Sequence, residues 1–494
     1  MIVNRRSFIQ RSSSLVAAAS GLGTANLLIR TRASNPTLEK LRVGVVGFKG
    51  RGKGLIDAIN QNKNASLVAL ADVDEEILRS VQSDNRSLVR TDDFRKLLDR
   101  KDVDVIASAA PNHWHAMITV LAAQAGKHVY IEKPISHNMF ESRAIVAAAE
   151  RYGKLIQGGF QNRSDSGLMD FFNRLNTGEF GKVKFVHGTC HRPRKSIGKL
   201  KKPLVVPKHV NYDLWLGPAA EEQILRPSLH YDWHWDFNTG NGDVGNQGPH
   251  EWDMMNWALG DGEDLPEEMR AAGNRFGWED AGNTPNVMAC NGTMNGILFC
   301  FEVMDLRPGC KPPYNQPVGV IVETEMGRFV GGRGGGRYTS KNGKTESFKR
   351  DPANPKQDGT IAHVENFVDA VLTDDRSKLR SDCKVAAKSS SMAHMANISF
   401  QLAAASGDEE LKAAFAGSEQ ERNMLERLSQ STEIFAKSSK RDVKETWKLG
   451  PKLTFDNASQ LFKGESAADA NQKMTREYRS EFLFPEVKEM KSAG

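Results

Sequence analysis

The chain has 494 residues, 39% hydrophobic and 26% charged, a composition typical of a soluble globular protein with room for more than one domain. Its formal charge of +6 comes mostly from residues 1–33, which hold Arg5, Arg6, Arg11, Arg30 and Arg32 and no acid. The remaining 62 basic and 61 acidic residues nearly cancel, which excludes electrostatic capture of nucleic acid or of an anionic membrane as the basis of function.

The first segment reads as an address. Asn4-Arg5-Arg6-Ser7-Phe8-Ile9 is a twin-arginine pattern, followed by a mild apolar run from Leu15 to Ile29. Gly21 and Gly23 break that run, and it is too short and small-residue-rich for a membrane span. Residues 1–33 are therefore expected to be a twin-arginine signal peptide, with Thr31-Arg32-Ala33 as the cleavage site. The route exports folded proteins, so an exported, periplasmic protein carrying its cofactor is expected, with no membrane insertion once the leader is removed. The five cysteines form no CxxC pair, and their odd number argues against a complete disulfide framework.

Leu41 to Val46 is a continuous apolar strand that runs into the glycine-rich turn Gly47 to Gly54 and a helical segment, Leu55 to Asn60. A second strand, Leu67 to Ala71, ends in Asp72, and a polar helix starts at Glu75. Asp102 to Ala107 is a third strand, with Pro111-Asn112-His113-Trp114-His115 just beyond it. A helix over Met117–Ala125 and a strand over Lys127–Ile131 complete a strand–helix alternation that predicts a doubly wound parallel sheet over residues 38–155. The dinucleotide fingerprint G-x-G-x-x-G has its first and third glycines in Gly47 and Gly52, while Lys49 holds the middle place. Gly50 can shift the turn, and Lys49 or Arg51 can add positive charge toward a phosphate. Asp72, 25 residues after Gly47, is placed to accept from ribose hydroxyls, which favours NAD and leaves NADP as the alternative.

The strand ending at Ile131 delivers Glu132 and Lys133 to its carboxyl end, where open α/β sheets bind ligands. Lysine suits proton transfer because its pKa falls on desolvation, and Pro134 fixes the exit of the strand. Beyond Gly153 the pattern changes. A strand at Leu155 leads to a helix over 166–177, then a strand over Val183–His191 and a basic, proline-containing loop over 192–212. Further strands at 288–291, 296–303, 319–323 and 327–330 lack alternating helices and predict an antiparallel or mixed sheet, a second domain over 156–404. Gly331 to Gly336, with Arg333 inside it, reads as a flexible turn, and residues 405–494 as a helical appendage.

Two clusters carry chemistry here. Pro249 suits a first helical turn, placing His250 at a helix N-terminus that disfavours imidazolium, with Asp253 one turn later to orient the ring or cap the helix. His230, Asp232, His234 and Asp236 would share one face if their segment were a strand, yet no zinc spacing or HExxH is present, and no metal is assigned.

Taken together, the glycine turn at 47–52, Pro111 to His115, Glu132-Lys133-Pro134 and the Gly248-Pro249-His250-Glu251-Trp252-Asp253 helix start resemble the Gfo/Idh/MocA oxidoreductases, from about Leu41 to Phe400. The resemblance implies a Rossmann domain followed by an α/β domain with a large, mostly antiparallel sheet. It implies NAD(P)-dependent hydride transfer at a sugar or polyol hydroxyl, with Lys133, His250 and Asp253 in catalytic roles. Gly47, Lys49, Gly50, Arg51, Gly52, Asp72, Asn112, His115 and Glu132 fall on the cofactor side, and Gln161, Arg163, Trp235 and Asn246 on the substrate side. Asn246 stands where relatives often carry an aspartate. A homo-oligomer is expected through an open sheet face. Two alternatives stay open: a redox-neutral hydrolase or epimerase that oxidises transiently, and a carbohydrate-binding protein that has lost turnover.

Overall fold

Short aliphatic runs followed by helices build the first half of the chain. In the computed structural model, which describes residues 40–83, 85–350, 359–440 and 443–484, six strands form a wholly parallel sheet. They are β1 (Leu41–Val46), β2 (Ala65–Ala71), β3 (Val89–Thr91), β4 (Val105–Ser108), β5 (His128–Ile131) and β6 (Ile156–Gly158), in the order β3-β2-β1-β4-β5-β6. The expected leader lies outside the described residues. Helices α1 (Arg51–Gln61), α2 (Glu75–Ser80), α3 (Arg95–Leu98), α4 (Asn112–Gln124) and α5 (Met139–Tyr152) make the connections. Alternate side chains of each strand enter opposite layers. Val43, Val45, Val105 and Tyr130 meet Leu55 and Ile59 of α1, while Ile106, Val129 and Ile131 meet Ala116 and Ile118 of α4 and Ile145 of α5. The strand order reverses between β1 and β4, the switch point at which ligands enter such sheets.

The second half is one twelve-stranded sheet. Its strands are β7 (Val183–Cys190), β8 (Glu268–Asn274), β9 (Val287–Met294), β10 (Ile297–Met304), β11 (Val318–Thr324), β12 (Gly327–Gly332), β13 (Gly335–Ser340), β14 (Thr345–Lys349), β15 (Ala404–Ala405), β16 (Lys448–Leu449), β17 (Leu453–Asp456) and β18 (Leu461–Lys463). Among the described residues only the β7–β10 pair of this sheet is parallel. One face packs on α6 (Ser166–Asn176), whose Phe171 stacks on Phe329 at 3.7 Å. A short helix, α7 (Tyr212–Leu216), lies in the long segment after β7 and packs in a separate small cluster around Trp215. Two further helices follow in the chain, α8 (Gly242–Asn246) and α9 (Pro249–Leu259), and Trp252 of α9 stacks on Phe301 at 4.0 Å. Helix α10 (Gly359–Leu372) returns to the first sheet, and α11 (Cys383–Gln401) joins the α6–α9 layer.

Residues 405–494, expected as a helical appendage, supply strands to this sheet as well as helices. Helices α12 (Asp408–Ala414) and α13 (Glu419–Ser439) lie on the face opposite α9, where Leu411, Phe415, Met424, Leu425 and Leu428 cover Phe185, Ala289, Cys300 and Met304. Helix α14 (Ala467–Lys473) follows β18. The chain then returns to the first domain, where the Phe482 ring meets Trp114 edge-on at 5.4 Å. The glycine-rich stretch expected as a flexible turn is the β12–β13 hairpin. The segment His230–Asp236, whose polar side chains would share a face only in a strand, contains a 3-10 helix, Asp232–Trp235. Its polar side chains therefore diverge: His230 pairs with Asp74 and Asp236 with Arg226. All five cysteines are free thiols.

Because Leu428 is fully buried on the inward face of α13, Leu428→Ala should lower stability by about 2–5 kcal/mol. Urea unfolding should show this as a reduced midpoint at unchanged slope.

Candidate functional site

The carboxyl ends of β1, β2, β4 and β5 open into a cavity of about 670 Å³, closed on the far side by Ser228 to His234, Asn246, His250 and Arg333. At one end lies the glycine turn. Gly47 has φ +72°, and a Cβ there would sit 2.7 Å from the Ala110 Cα. A Cβ on Gly52 would sit 2.2 Å from the Gly47 carbonyl oxygen, so this glycine packs the turn against α1 and does not line the cavity. A Cβ on Gly50 would meet nothing within 4 Å. Helix α1 starts there without a side-chain cap, and Lys49, Gly50 and Arg51 all line the cavity. An uncapped helix start beside two cations fits a pyrophosphate, so Lys49 in the middle place adds charge without filling the turn.

Asp72 also lines this end. Its two carboxylate oxygens accept from the Phe48 and Asp74 backbone N–H groups at 3.0 and 3.1 Å, and burial raises the carboxyl to about 6. It therefore ties β2 to the turn as well as lining the cavity. Asn112 lines the wall and donates to Asn241 Oδ1 at 2.9 Å. His115 lines it too, with ring nitrogens 2.6 Å from the Pro134 carbonyl and 2.7 Å from the Ala110 carbonyl. Burial holds that ring below its ordinary pKa. Its geometry fixes the Lys133-Pro134 corner.

Glu132 and Lys133 leave β5 into the middle of the cavity. Burial would raise Glu132, but Arg51 and Lys133 more than offset it. Arg51 Nε donates to Glu132 Oε1 at 2.9 Å, and Gln161 Nε2 donates to the same oxygen at 2.8 Å. Lys133 Nζ donates to the Asn246 backbone carbonyl at 2.6 Å, and burial lowers the ammonium to about 8. Asn246 in turn donates through Nδ2 to Asp243 Oδ1 at 3.0 Å. Asp243 is a residue that the sequence reasoning missed. It is fully buried, held by Arg194 at 2.6 and 2.7 Å, and packed against Asp305, whose carboxyl burial and Asp243 push well above its usual range. Its place in the Gly240-to-Gly245 turn, three residues before Asn246, was the available signal.

His250 begins α9 with its ring on the cavity wall. Burial, with help from Lys133, holds the imidazole well below its usual pKa, and among the described residues Nδ1 has no hydrogen-bond partner. Besides Gly52, three expected site residues lie elsewhere. Asp253 does not orient His250. Its carboxylate takes Arg163 Nε at 2.9 Å to each oxygen and Ser389 Oγ at 2.8 Å. Arg163 spends its other nitrogens on Asp261 at 2.8 Å, so it too points away from the cavity. Trp235 is buried under the Arg194 guanidinium, 5.5 Å from its ring centroid, while its neighbours Tyr231, Trp233 and His234 line the wall. Helical spacing put Asp253 near His250, but an arginine 90 residues upstream claims it.

Residues 41–160 match the Gfo/Idh/MocA oxidoreductase family model for the NAD-binding Rossmann fold, and residues 195–286 match the family's C-terminal alpha/beta domain. The chain is 28% identical over 172 residues to an inositol 2-dehydrogenase of Salmonella paratyphi B, covering 34% of this chain and 50% of that protein. It is 28% identical over 214 residues to a glycosyl hydrolase family 109 protein of Shewanella baltica, covering 38% and 45%. The chain thus spans about half the length of these curated relatives. Among solved structures, a levoglucosan dehydrogenase in complex with NADH and levoglucosan has the same fold, with a TM-score of 0.56 at 17% identity over 72% of this chain and 95% of that one.

The Arg163–Asp253 pair is almost wholly buried. Arg163→Met should cost about 3–5 kcal/mol by stranding a buried carboxylate, whereas Arg163→Met with Asp253→Leu should recover much of the loss. Urea denaturation of the two variants checks this.

Proposed function

We propose that this chain, which belongs to the Gfo/Idh/MocA oxidoreductase family and carries its NAD-binding Rossmann domain, is an enzyme that oxidises a secondary hydroxyl of a sugar or polyol. One observation carries the proposal. Lys133, Asn246 and His250 open onto the same cavity as the Gly47–Arg51 turn and Asp72, so proton-handling groups and cofactor cradle share one space. Gly47, Lys49, Gly50, Arg51, Asp72 and Asn112 would hold NAD, which supplies the acceptor for the hydride on the carbinol carbon. The neutral His250 ring accepts the hydroxyl proton, and Lys133 in its amine form takes it onward. Asn246 and Asp243 hold Lys133 in place, and Glu132 balances the ammonium while it is charged.

The curated relatives favour one further reading. The similarity to glycosyl hydrolase family 109 proteins supports a redox-neutral enzyme that oxidises the hydroxyl transiently and reduces it again. The product distinguishes the two, since only the dehydrogenase accumulates NADH. Export by the twin-arginine route belongs to the proposal and rests on Asn4 to Ile9. Self-association belongs to it as well. With α12 and α13 over β8 to β10, we place a second copy on the outer face of β12–β14, where Arg337, Thr339, Thr345, Ser347 and Lys349 are exposed.

The kinetic test follows from the lysine. The neutral amine fraction of Lys133 grows as pH rises through about 8, while His250 stays neutral throughout. For the oxidation direction, kcat/KM should therefore climb to a plateau above about pH 8. Lys133→Arg should abolish that limb, and Lys133→Ala should lower turnover by roughly 10²–10³-fold. Unchanged turnover in Lys133→Ala would remove the catalytic assignment.

A further inference from the structure

The hairpin joining β12 and β13 reads Gly331-Gly332-Arg333-Gly334-Gly335-Gly336, a stretch with a single side chain. It is not a loose linker. Gly334 and Gly335 have φ of +97° and +112°, which glycine alone adopts without strain. A Cβ on Gly331 or Gly336 would come within 2.5 or 2.3 Å of the Phe329 ring, so that ring packs flush beneath the hairpin. The Gly334 N–H donates to Asp165 Oδ2 at 2.8 Å, and Arg350 Nε donates to the same oxygen at 2.6 Å. The backbone is thus fixed and tethered to the start of α6, whose cap is Asp165.

The one side chain it presents lines the catalytic cavity on the His250 side. Its positive charge reaches both His250 and Glu251, where it helps to hold the imidazole neutral. Among the described residues Arg333 is exposed and makes no ion pair. The acids that line the cavity are already engaged. Glu132 takes Arg51 and Gln161, Asp72 takes two backbone N–H groups, Asp93 takes Arg95, and Asp92 takes Lys96 and Asn211. Glu251, which the charge of Arg333 reaches, lies outside the cavity lining and is raised by burial to about 8, so among the described residues the substrate end offers Lys133 and Arg333 with no ionised carboxylate paired to the guanidinium.

We propose that Arg333 recognises a carboxylate on the substrate, so that the sugar or polyol taken by this site is an acid, of the uronic or aldonic type. A planar guanidinium offers a carboxylate two parallel N–H donors, and a rigid hairpin reduces the ordering cost of that contact. The inference rests on the reading of this cavity as a sugar or polyol site, and it adds the charge of the substrate. It makes Arg333 a specificity determinant that handles no proton itself and acts on His250 only by disfavouring the imidazolium.

The test uses the protein as purified, saturated with NAD. The probes are D-glucuronate, D-galacturonate and D-gluconate beside D-glucose, D-galactose and myo-inositol, with D-glucose 6-phosphate as a different anion. Calorimetric titration reads binding, and absorbance at 340 nm reads turnover. At least one acid should bind about tenfold or more tightly than its neutral counterpart, and Arg333→Gln should weaken that acid by roughly 10- to 100-fold while weakening neutral sugars much less, so that the acid preference is lost. Arg333→Lys should restore part of the loss. Acid binding unaffected by Arg333→Gln, or no preference for any acid, would overturn the proposal even while neutral sugars are oxidised. A preference for the phosphate ester over every carboxylate would overturn it too. Absence of NADH with every probe speaks against the dehydrogenase reading alone, because the binding arm still reports on Arg333.

Discussion

An ammonium partly withdrawn from water needs a countercharge and a hydrogen-bond acceptor, and the arrangement around Lys133 follows from that constraint. The strand that precedes it ends at Ile131 and is paired on both sides, with β4 and with β6, so the backbone that leads into Lys133 is fixed. Glu132 gives the countercharge, but a buried carboxylate needs partners of its own, and Arg51 and Gln161 supply them from α1 and the end of β6. Among the described residues the Asn246 carbonyl is the acceptor for the Lys133 Nζ group. That contact fixes α8 and the start of α9 over the mouth of the first sheet, which is how His250 comes to face the same cavity. The pairing thus links the charge of one residue to the relative placement of both sheets.

Much of this was legible because local signals and tertiary structure agree. The aliphatic runs before Gly47, Asp72 and Glu132 are strands, and Pro249 begins the helix that presents His250. Where they disagreed, the reason was an interaction between residues far apart in sequence. Asp253 has the right helical spacing to serve His250, yet Arg163 and Ser389 draw it into the core. Asn246 lacks a titratable group, but Asp243 stands behind it, buried by contacts that spacing cannot reveal. Trp235 belongs to an aromatic run in which only its neighbours face the cavity, because the run turns as a 3-10 helix instead of extending. Glycine-rich strands such as β13 carry almost no propensity signal, and β8 holds Glu268, Arg270 and Gly273 in a sequence without clean alternation.

The electrostatic character of the cavity differs between its two ends. The glycine-turn end carries Lys49 and Arg51 beside Asp72, a mixture suited to a pyrophosphate and ribose hydroxyls. The other end carries Lys133, a neutral His250 and Arg333 against an aromatic wall of Tyr231, Trp233 and His234. Aromatic rings beside polar donors suit a sugar ring, whose faces are apolar and whose edges are not. The covering of β8 to β10 by α12 and α13 meanwhile removes from solvent an apolar sheet face that would otherwise need a partner.

The most direct measurement is of the dinucleotide itself. Protein folded in the cytoplasm would be denatured, and the released small molecules identified by absorbance at 260 nm and by mass. NAD is expected in about equimolar amount, or stoichiometric uptake on titration, with Lys49 tolerated in the turn. A protein that releases none and binds none when titrated to millimolar NAD would contradict this, since both the dehydrogenase and the transient-oxidation readings require that cofactor.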